Sequence, residues 1–290
     1  DLHLEHRRQR QMCIGDRTNI SKHLSNSNFR LINHDLINKP EVLSCDRIWH
    51  MACPASPIHY QENPLNTSKT NFLGTYHMLN LAAKCKASFL MASSSEIYGN
   101  PIFHPQSEED EGSYKTSSVR ACYSEGKRIA ETLCFDFNRV HNVNIKVARI
   151  FNTYGPRMLP NDGRVISNFI VQCLKNQSIT IYGDGSQTRS FCYIDDMIKG
   201  LFDLMDSNYQ EPINLGSTEE YRISELAERI REKTNSQSQL IKTELPDNDP
   251  QRRRPNVELA IEKLNWQSST SLDEGLDKTI KFFKKTFDKS

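Results

Sequence analysis

Short apolar runs and longer amphipathic stretches alternate along the first half of the chain. The apolar runs have the length of strands and occupy residues 29–33, 46–52, 88–92 and 143–150. Helical periodicity marks residues 64–86 and 120–140, where apolar positions recur every three or four residues. Strands that alternate with helices in this way predict a parallel sheet covered by helices on both faces.

The pattern changes after Gly155, where strands and helices no longer alternate regularly. This half is predicted to hold helices at residues 165–175 and 223–234, short strands at 178–182 and 212–215, and a charged closing helix from Leu272. We therefore predict an α/β fold with a doubly wound, Rossmann-like parallel sheet over residues 16–155. Residues 156–290 should form a smaller mixed α/β lobe, with some segments returning to the first domain.

Composition excludes several classes of protein. The chain of 290 residues is 37% apolar and 25% charged and has a net charge of +1, so no global field favours nucleic acid or an anionic membrane. No apolar run approaches the roughly 20 residues that span a bilayer. The eight cysteines form no CxxC pair and no metal-like spacing, which predicts reduced thiols in a cytoplasmic protein without a metal site.

The first residues do not fit the alternating pattern. A doubly wound nucleotide domain normally opens with a strand, a G-x-G-x-x-G turn and a helix, and none of these precedes Phe29. The Arg7–Arg10 run could be an anion-binding arm, but a solvated tail is the better interpretation. Because the letters HRRQRQMCI resemble translated sequencing-adapter sequence, residues 1–15 are expected to be a non-native tail before an N-terminally truncated domain.

The clearest candidate chemistry combines a hydroxyl and carboxylate cluster with a downstream tyrosine and lysine. Ser93 to Glu96 follow the predicted strand 88–92, while Tyr123 and Lys127 lie four residues apart on one helix face. A free phenol has a pKa of about 10, and a nearby cation is expected to lower it. Such a phenolate can take a proton from an alcohol while hydride leaves the same carbon, which requires a nicotinamide.

Arginines supply the second candidate chemistry. Guanidinium groups bind phosphate oxygens in a bidentate fashion, and Arg189 in a Gly-rich turn is the best candidate for a diphosphate ligand. The run of arginines at residues 252–254 could instead be a nucleic-acid patch or a solvated loop. Without interleaved aromatic residues on a nearly neutral protein, nucleic acid is a poor interpretation.

An ordered set of motifs extends from about Gly15 towards the C-terminus. The motifs are residues 15–20 (GDRTNI), 50–57 (HMACPASP), 69–71 (KTN), 93–101 (SSSEIYGNP), 122–127 (CYSEGK), 149–157 (RIFNTYGPR), 162–165 (DGRV), 182–191 (YGDGSQTRSF) and 249–255 (DPQRRRP). This set resembles the UDP-glucuronate decarboxylases (UDP-xylose synthases) of the extended short-chain dehydrogenase/reductase family. The resemblance implies an NAD-dependent, redox-neutral decarboxylation of UDP-glucuronate to UDP-xylose. Alternatives are a nucleotide-sugar 4-epimerase or 4,6-dehydratase, and a non-catalytic fragment of such an enzyme.

The resemblance also implies roles for individual residues. Catalytic roles fall to Tyr123, Lys127, Glu96, Ser95 and Arg253. Cofactor contacts fall to Asp35, Ala52, Cys53, Lys69, Ser94, Tyr123 and Lys127. UDP-sugar contacts fall to Asn152, Arg164, Tyr182, Arg189 and Arg253.

Each assignment has a purely structural alternative. Tyr123 could be a hydrogen-bonded core aromatic, Lys127 a solvated helix charge, and Glu96 a carboxylate that caps the next turn. The chain also departs from the family pattern: Ser124 stands where Asp is usual, Arg10 where the ribose-binding acid is expected, and residues 114–118 replace Asn-Pro-Ile-Gly. These differences affect cofactor affinity and substrate placement more than the chemistry.

A homodimer is the last expectation from the sequence. The helices predicted at residues 64–86 and 120–140 carry broad apolar stripes, the second one made of Ile129, Ala130, Leu133, Cys134 and Phe137. One sheet face covers only part of such a stripe, and the resemblance implies that these helices pair as a four-helix bundle. The alternative is a monomer in which both helices face the core.

Overall fold

The computed structural model of the chain describes residues 19–41, 44–101, 103–160, 162–244 and 251–288. The predicted non-native tail, residues 1–15, lies outside these residues. The structure divides into two compact units, one that ends at Asp35 and one that begins at Leu36. The proposed boundary at residue 155 falls inside the second unit and stays a prediction.

The helices and strands follow the predicted alternation. Strands are β1 Arg47–His50, β2 Ser88–Ser94, β3 Ile145–Ile150, β4 Thr153–Tyr154, β5 Ile179–Tyr182, β6 Thr188–Ser190, β7 Cys192–Tyr193, β8 Pro212–Leu215, β9 Glu220–Arg222, β10 Leu240–Thr243 and β11 Arg252–Arg253. Helices are α1 Pro57–Glu62, α2 Pro64–Lys69, α3 Thr75–Cys85, α4 Ala121–His141, α5 Val165–Leu174, α6 Ile194–Asp206, α7 Ile223–Thr234, α8 Glu258–Leu264 and α9 Leu272–Phe287. A π-turn, Thr70–Gly74, joins α2 to α3, and short 3₁₀ turns cover Ser21–His23 and Ser95–Tyr98.

The first unit contains the one strand prediction that is wrong. Residues 29–33 were expected to form a strand, but the described part of the first unit has no strand, only helical residues 19–20 followed by the 3₁₀ turn Ser21–His23. Leu31 and Ile32 are 53% and 46% exposed, so neither face of the segment is covered. An apolar run of strand length becomes a strand only with a hydrogen-bonded neighbour and a buried face.

A parallel sheet in the order β1-β2-β3-β8 forms the centre of the second unit. Helices α3 and α4 cover one face, where Leu79, Ala130 and Cys134 are buried against the sheet. Helices α6 and α8 cover the other face around Trp266. This arrangement confirms the predicted α/β fold, since parallel strands are normally buried on both sides.

The second lobe is built around β5, which pairs with β10, and around β6, which pairs with both β9 and β11. Helices α5, α7 and α9 enclose its own apolar core, which includes Phe169, Leu226 and Phe283. The parallel pair β11 and β6 brings Arg253 opposite Arg189. Arg252 and Arg253 are therefore held in a sheet, with Arg253 buried and Arg252 exposed.

Candidate functional site

The candidate site begins where β2 ends at Ser94 and the 3₁₀ turn Ser95–Tyr98 follows. The carboxyl ends of strands in an open parallel sheet form the edge at which such folds bind ligands. Ser94 accepts a hydrogen bond from the backbone N–H of Glu96, at 3.2 Å, and thereby fixes the turn. Ser93, by contrast, donates to the Glu131 carboxylate in the protein interior.

Helix α4 places Tyr123 and Lys127 beside this strand end. Both side chains are buried, and the Lys127 Nζ lies 5.7 Å from the centre of the Tyr123 ring. The same ammonium donates to the Ala92 carbonyl of β2 at 2.8 Å. The predicted pairing on one helix face is therefore present, and the backbone of β2 holds the lysine in place.

The expected lowering of the tyrosine pKa is wrong for this structure. Burial raises the pKa of Tyr123 above its ordinary value, and the Cys53 thiol adds to that effect. A hydrogen bond with Ser94 and the charge of Arg164 lower it only in part. Burial also lowers the pKa of Lys127, because the same dry surroundings disfavour its charge.

Glu96 is held between two arginines. Arg120 Nη2 donates to Glu96 Oε1 at 2.7 Å, and Arg253 Nη1 donates to the same oxygen at 2.6 Å. Burial would raise the pKa of Glu96, but Arg253 and Arg120 together hold it below its usual range. The glutamate is therefore a carboxylate between two cations, and not merely a cap for the next turn.

Aromatic side chains form the wall of the site. The rings of Tyr60 and Tyr123 stack in parallel, with centroids 4.9 Å apart and an angle of 9° between their planes. Tyr60 comes from α1, which the sequence did not single out. A tertiary contact between α1 and α4 creates this stack, so residue spacing alone could not have found it.

Arg120 is the second site residue that the sequence analysis missed. It immediately precedes α4, three positions before Tyr123, where side chains of a helical first turn share a face. That spacing was available as a signal. Its pairing with Glu96 depends on the packing of α4 against the turn after β2, which the sequence does not reveal.

The proposed cofactor residues differ in how far they are buried. Cys53 lies in the loop after β1, where burial raises the pKa of its thiol while the Lys127 charge and a hydrogen bond with Asn71 lower it in part. Ala52 is exposed in the same loop, and Lys69 is exposed at the end of α2. Asp35 is exposed in the first unit, so its assignment stays a prediction from the resemblance.

The proposed substrate residues belong mainly to the second lobe. Arg189 is buried and donates to the carbonyls of Thr188, at 2.8 Å, and Gln251, at 3.3 Å. Arg164 pairs with Asp162 at 3.1 Å, and its side chain is 40% exposed. Asn152 donates to the Ser190 carbonyl at 3.4 Å, and Tyr182 is 47% exposed at the end of β5.

A second buried network lies directly beneath the site. Arg149 donates to both oxygens of Glu131, with the shortest distance 2.9 Å, and also to the Tyr98 hydroxyl at 3.1 Å. The Glu108 carbonyl accepts a further bond from Arg149 at 2.8 Å. This network ties β3, α4 and the turn after β2 together.

The described ranges give no support for a metal site or for a membrane-spanning helix. No group of three His, Cys, Asp or Glu side chains in them is arranged to hold a metal ion. In the same ranges no helix combines the length and apolar character needed to cross a membrane.

Comparison with known proteins identifies the family. Residues 1–279 match the family described as GDP-mannose 4,6 dehydratase. The chain is 47% identical over 262 residues to UDP-glucuronic acid decarboxylase 3 of Arabidopsis thaliana, which covers 90% of this chain and 76% of that protein. UDP-glucuronic acid decarboxylase 1 of Danio rerio is 47% identical over 269 residues, covering 93% of this chain and 64% of that protein.

Solved structures share the fold. UDP-glucuronic acid 4-epimerase from Bacillus cereus, in complex with UDP-glucuronic acid and NAD, has a TM-score of 0.83 and 25% identity and covers 94% of this chain and 87% of that one. The dTDP-glucose 4,6-dehydratase DesIV from Streptomyces venezuelae has a TM-score of 0.85 at 19% identity and covers 94% of this chain and 84% of that one. By fold and by sequence, the chain belongs to the UDP-glucuronic acid decarboxylase family of extended short-chain dehydrogenases/reductases.

Proposed function

We propose that the chain catalyses the NAD-dependent, redox-neutral decarboxylation of UDP-glucuronate to UDP-xylose. The observation that carries the proposal is the buried Tyr123–Lys127 pair next to a carboxylate flanked by two arginines. The Tyr123–Lys127 pair suits proton removal from a sugar hydroxyl, and the two arginines suit recognition of an acidic sugar. The similar proteins of Arabidopsis thaliana and Danio rerio are UDP-glucuronic acid decarboxylases, which supports the same substrate.

The nicotinamide end of NAD fits the residues that are present. Tyr123, Lys127 and Ser94 meet at the carboxyl end of β2, and the loop with Ala52 and Cys53 follows the neighbouring strand β1. The sequence before Gly74 contains a single glycine, Gly15, so no glycine-rich phosphate turn can be assigned. Bound NAD would supply the hydride acceptor and, later, the hydride donor.

Tyr123 is proposed to remove the proton from the sugar 4-hydroxyl. Its pKa is raised in the substrate-free protein, so proton transfer must be assisted from within the site. Ser94 hydrogen-bonds with the phenol, and the Lys127 ammonium lies over its ring. Both groups stabilise the phenolate that forms during proton removal.

Decarboxylation then follows from the chemistry of the oxidised sugar. A ketone at C4 makes the C6 acid a β-keto acid, so the C5–C6 bond breaks with its electrons drawn into the carbonyl. A proton replaces CO₂ at C5, and reduction of C4 restores the alcohol, so no net oxidation remains. Ser95, Glu96 and Arg253 are proposed to orient the sugar for this bond cleavage.

A 4-epimerase acting on the same substrate is the second candidate. The UDP-glucuronic acid 4-epimerase of Bacillus cereus shares the fold. Both reactions begin with proton removal from the 4-hydroxyl, so Tyr123 does not separate them. The fate of the carboxylate does: an epimerase retains it, and a decarboxylase releases it as CO₂.

The test is to incubate the purified chain with UDP-glucuronate and NAD⁺ and to analyse all products. The proposal predicts equimolar CO₂ and UDP-pentose, with no accumulation of NADH. Appearance of UDP-galacturonate without CO₂ would establish the epimerase instead. Absence of any product while the protein is folded would contradict both candidates.

We further propose that the protein is a homodimer. The expected apolar stripe divides in the structure: Ala130, Cys134 and Phe137 are buried within the chain, while Ile129 is 40% exposed. Nearby segments add further exposed apolar side chains, namely Leu65, Phe72 and Tyr76 at 75%, 42% and 42%. Light scattering should give a dimeric mass, and Phe72→Glu should give a monomer. A monomeric mass for the unmodified chain would refute the proposal.

The buried thiols support the cytoplasm as the proposed location. Cys134, Cys173 and Cys192 are buried and free, as in proteins kept in a reducing compartment. Fractionation of cells that express the full-length protein with an antibody to it would test this.

A further inference from the structure

Three consecutive residues of β2 bond to three residues of α4 that follow one another at intervals of four. The bonds join the Lys127 Nζ to the Ala92 carbonyl at 2.8 Å, the Ser93 hydroxyl to the Glu131 carboxylate, and the Tyr123 phenol to Ser94. Side chains four residues apart on a helix share one face, so Tyr123, Lys127 and Glu131 form a single row towards β2. All three are buried. The row therefore continues the proposed base and its lysine by one glutamate.

Glu131 is held as a carboxylate at the inner end of this row. Arg149 Nη2 donates to Glu131 Oε2 at 2.9 Å, and Arg149 Nε donates to both carboxylate oxygens at 3.3 Å. The Ser93 hydroxyl donates to Glu131 Oε1. Both oxygens thus accept from donors, one of them a cation, which keeps the side chain an anion although it is buried.

Lys127 needs a nearby anion because its own surroundings disfavour its charge. Burial lowers the pKa of Lys127, and the groups that act against this effect are Cys53, Glu131 and Cys134. Burial raises the pKa of both thiols, so they are uncharged at neutral pH. On β1, burial lowers the pKa of His50 to about 3, so the imidazole is uncharged as well. Of these neighbours, Glu131 is the one that supplies a negative charge.

We propose that Glu131 is a positioning residue for the reaction, which holds the Lys127 ammonium and the Ser93 segment of β2 in place beside Tyr123. Glu131 lies about two helical turns from Tyr123 and acts through Lys127. Since the phenolate of Tyr123 is stabilised by a charged Lys127, loss of the Glu131 anion reaches the reacting end through the lysine. This inference rests on the proposed function and adds a residue to its mechanism.

The first test follows the titration of Lys127 in the chain without substrate. Lysines labelled with ¹³C at Cε are observed by NMR, and Lys127→Arg assigns the signal. Glu131→Gln keeps the size of the side chain but removes its charge, and should lower the pH midpoint of Lys127 by about one unit. Glu131→Asp keeps the charge and should leave the midpoint within about half a unit of the unmodified chain.

This pair of variants separates the charge of Glu131 from its packing. Aspartate is one methylene shorter, so it disturbs the bonds with Arg149 and Ser93 more than the isosteric glutamine does. A role in packing alone predicts that Glu131→Asp is the more harmful change. A charge that acts on Lys127 predicts that Glu131→Gln is.

Two further variants guard against indirect effects. Asp136→Asn on the same helix is the matched control, because Asp136 is 52% exposed and pairs with Arg139 on the surface. It should leave the Lys127 midpoint unchanged. If Glu131→Gln does not fold, Glu131→Gln combined with Arg149→Gln removes the partner charge as well and takes its place. The double variant should still lower the Lys127 midpoint.

Steady-state kinetics provide the second readout. At saturating NAD⁺ and alkaline pH, Glu131→Gln should reduce kcat for UDP-glucuronate about tenfold, because one unit of pKa is a factor of ten in the charged fraction of Lys127. The KM for UDP-glucuronate should stay within about twofold, since the expected effect is on the lysine and not on the sugar.

The outcomes separate this inference from the proposed function. An unchanged Lys127 midpoint in Glu131→Gln would overturn the inference, as would a larger shift in Glu131→Asp or a raised KM with unchanged kcat. CO₂ release by the unmodified chain, measured separately, decides the proposed function. A chain that releases CO₂ while Glu131→Gln leaves both Lys127 and kcat unchanged would keep its function and refute the role of Glu131.

Discussion

Two buried glutamates near the end of β2 meet arginines in opposite ways. Glu131 receives three hydrogen bonds from two donor atoms of Arg149, Nε and Nη2, and Arg149 also donates to the Tyr98 hydroxyl and the Glu108 carbonyl. Glu96 receives two arginines on one oxygen, and Nη2 of one of them, Arg253, has no hydrogen-bond partner among the described residues. The first arrangement satisfies both partners, whereas the second leaves one buried arginine nitrogen without a partner among the described residues.

The number of satisfied hydrogen-bond partners distinguishes the Glu131 cluster from the Glu96 cluster, whereas burial does not. Both glutamates are largely buried, and both face arginine, so neither feature distinguishes them. A satisfied pair fixes the packing of the elements that carry it, whereas a buried polar group without a partner costs stability. The predictions below break one arrangement at a time.

Loss of the Tyr123 hydroxyl should have the largest effect on turnover. Tyr123→Phe keeps the stack on Tyr60 but removes the proposed base, and a positioned acid–base group typically contributes about 10²- to 10⁴-fold in rate. Decarboxylation should fall by that factor, with the Tm little changed. Tyr76→Phe, at an exposed ring, is the control. Full activity of Tyr123→Phe would remove the tyrosine from the mechanism.

Breaking the satisfied pair should instead affect stability. Arg149→Gln leaves Glu131 buried without its cation, which costs about 3–5 kcal/mol when one partner of a buried pair is removed. Arg120→Gln leaves Glu96 paired with Arg253 and should cost clearly less. Urea unfolding of both variants checks this comparison. Equal losses in the free energy of unfolding would show that Glu131 does not depend on its arginine more than Glu96 depends on Arg120.

A glycine between Tyr123 and Lys127 provides a test of the packing that joins them. A Cβ on Gly126 would lie 2.7 Å from Asn71 Nδ2 and 3.0 Å from its Cβ. Gly126→Ala should therefore destabilise the protein by about 1–3 kcal/mol through overpacking, although alanine is the better helix former. Adding Asn71→Ala should recover much of the loss in a thermal melt. A single variant as stable as the parent would contradict the close approach.

The buried His50, close to Lys127, should make the stability of the protein depend on pH. Burial, with a smaller contribution from Lys127, lowers the pKa of His50 from 6.5 to about 3. The unfolded chain therefore binds one proton more between these values, so His50 contributes full stability above pH 6.5 and loses it as the pH falls. The loss approaches about 1.4 kcal/mol per pH unit.

His50→Gln should reduce this slope by about one proton in urea titrations between about pH 6.5 and 5, above the range in which most carboxylates titrate. The hydrogen bond between His50 Nε2 and Thr75 Oγ1, 3.0 Å long, can be replaced by the glutamine amide. An unchanged slope in the variant would show that His50 is accessible to protons in the folded state.

The sequence predicted local features well and tertiary ones poorly. The helix over residues 120–140 and the strand over 88–92 follow from periodicity, and the i, i+4 spacing of Tyr123 and Lys127 placed them on one helix face. Tyr60 was missed because only packing brings α1 to α4. The raised pKa of Tyr123 was missed because burial, which no spacing reveals, outweighs the hydrogen bond with Ser94 and the charge of Arg164, which lower it.

The central claim is a decarboxylation that returns hydride to the carbon from which it left. UDP-glucuronate labelled with ¹³C in its carboxylate and with deuterium at C4 tests this most directly, with mass spectrometry of the products. We expect ¹³CO₂ together with UDP-xylose that keeps its deuterium at C4, and no net NADH. A product that retains the ¹³C carboxylate, or UDP-pentose that has lost the deuterium to free NADH, would contradict it.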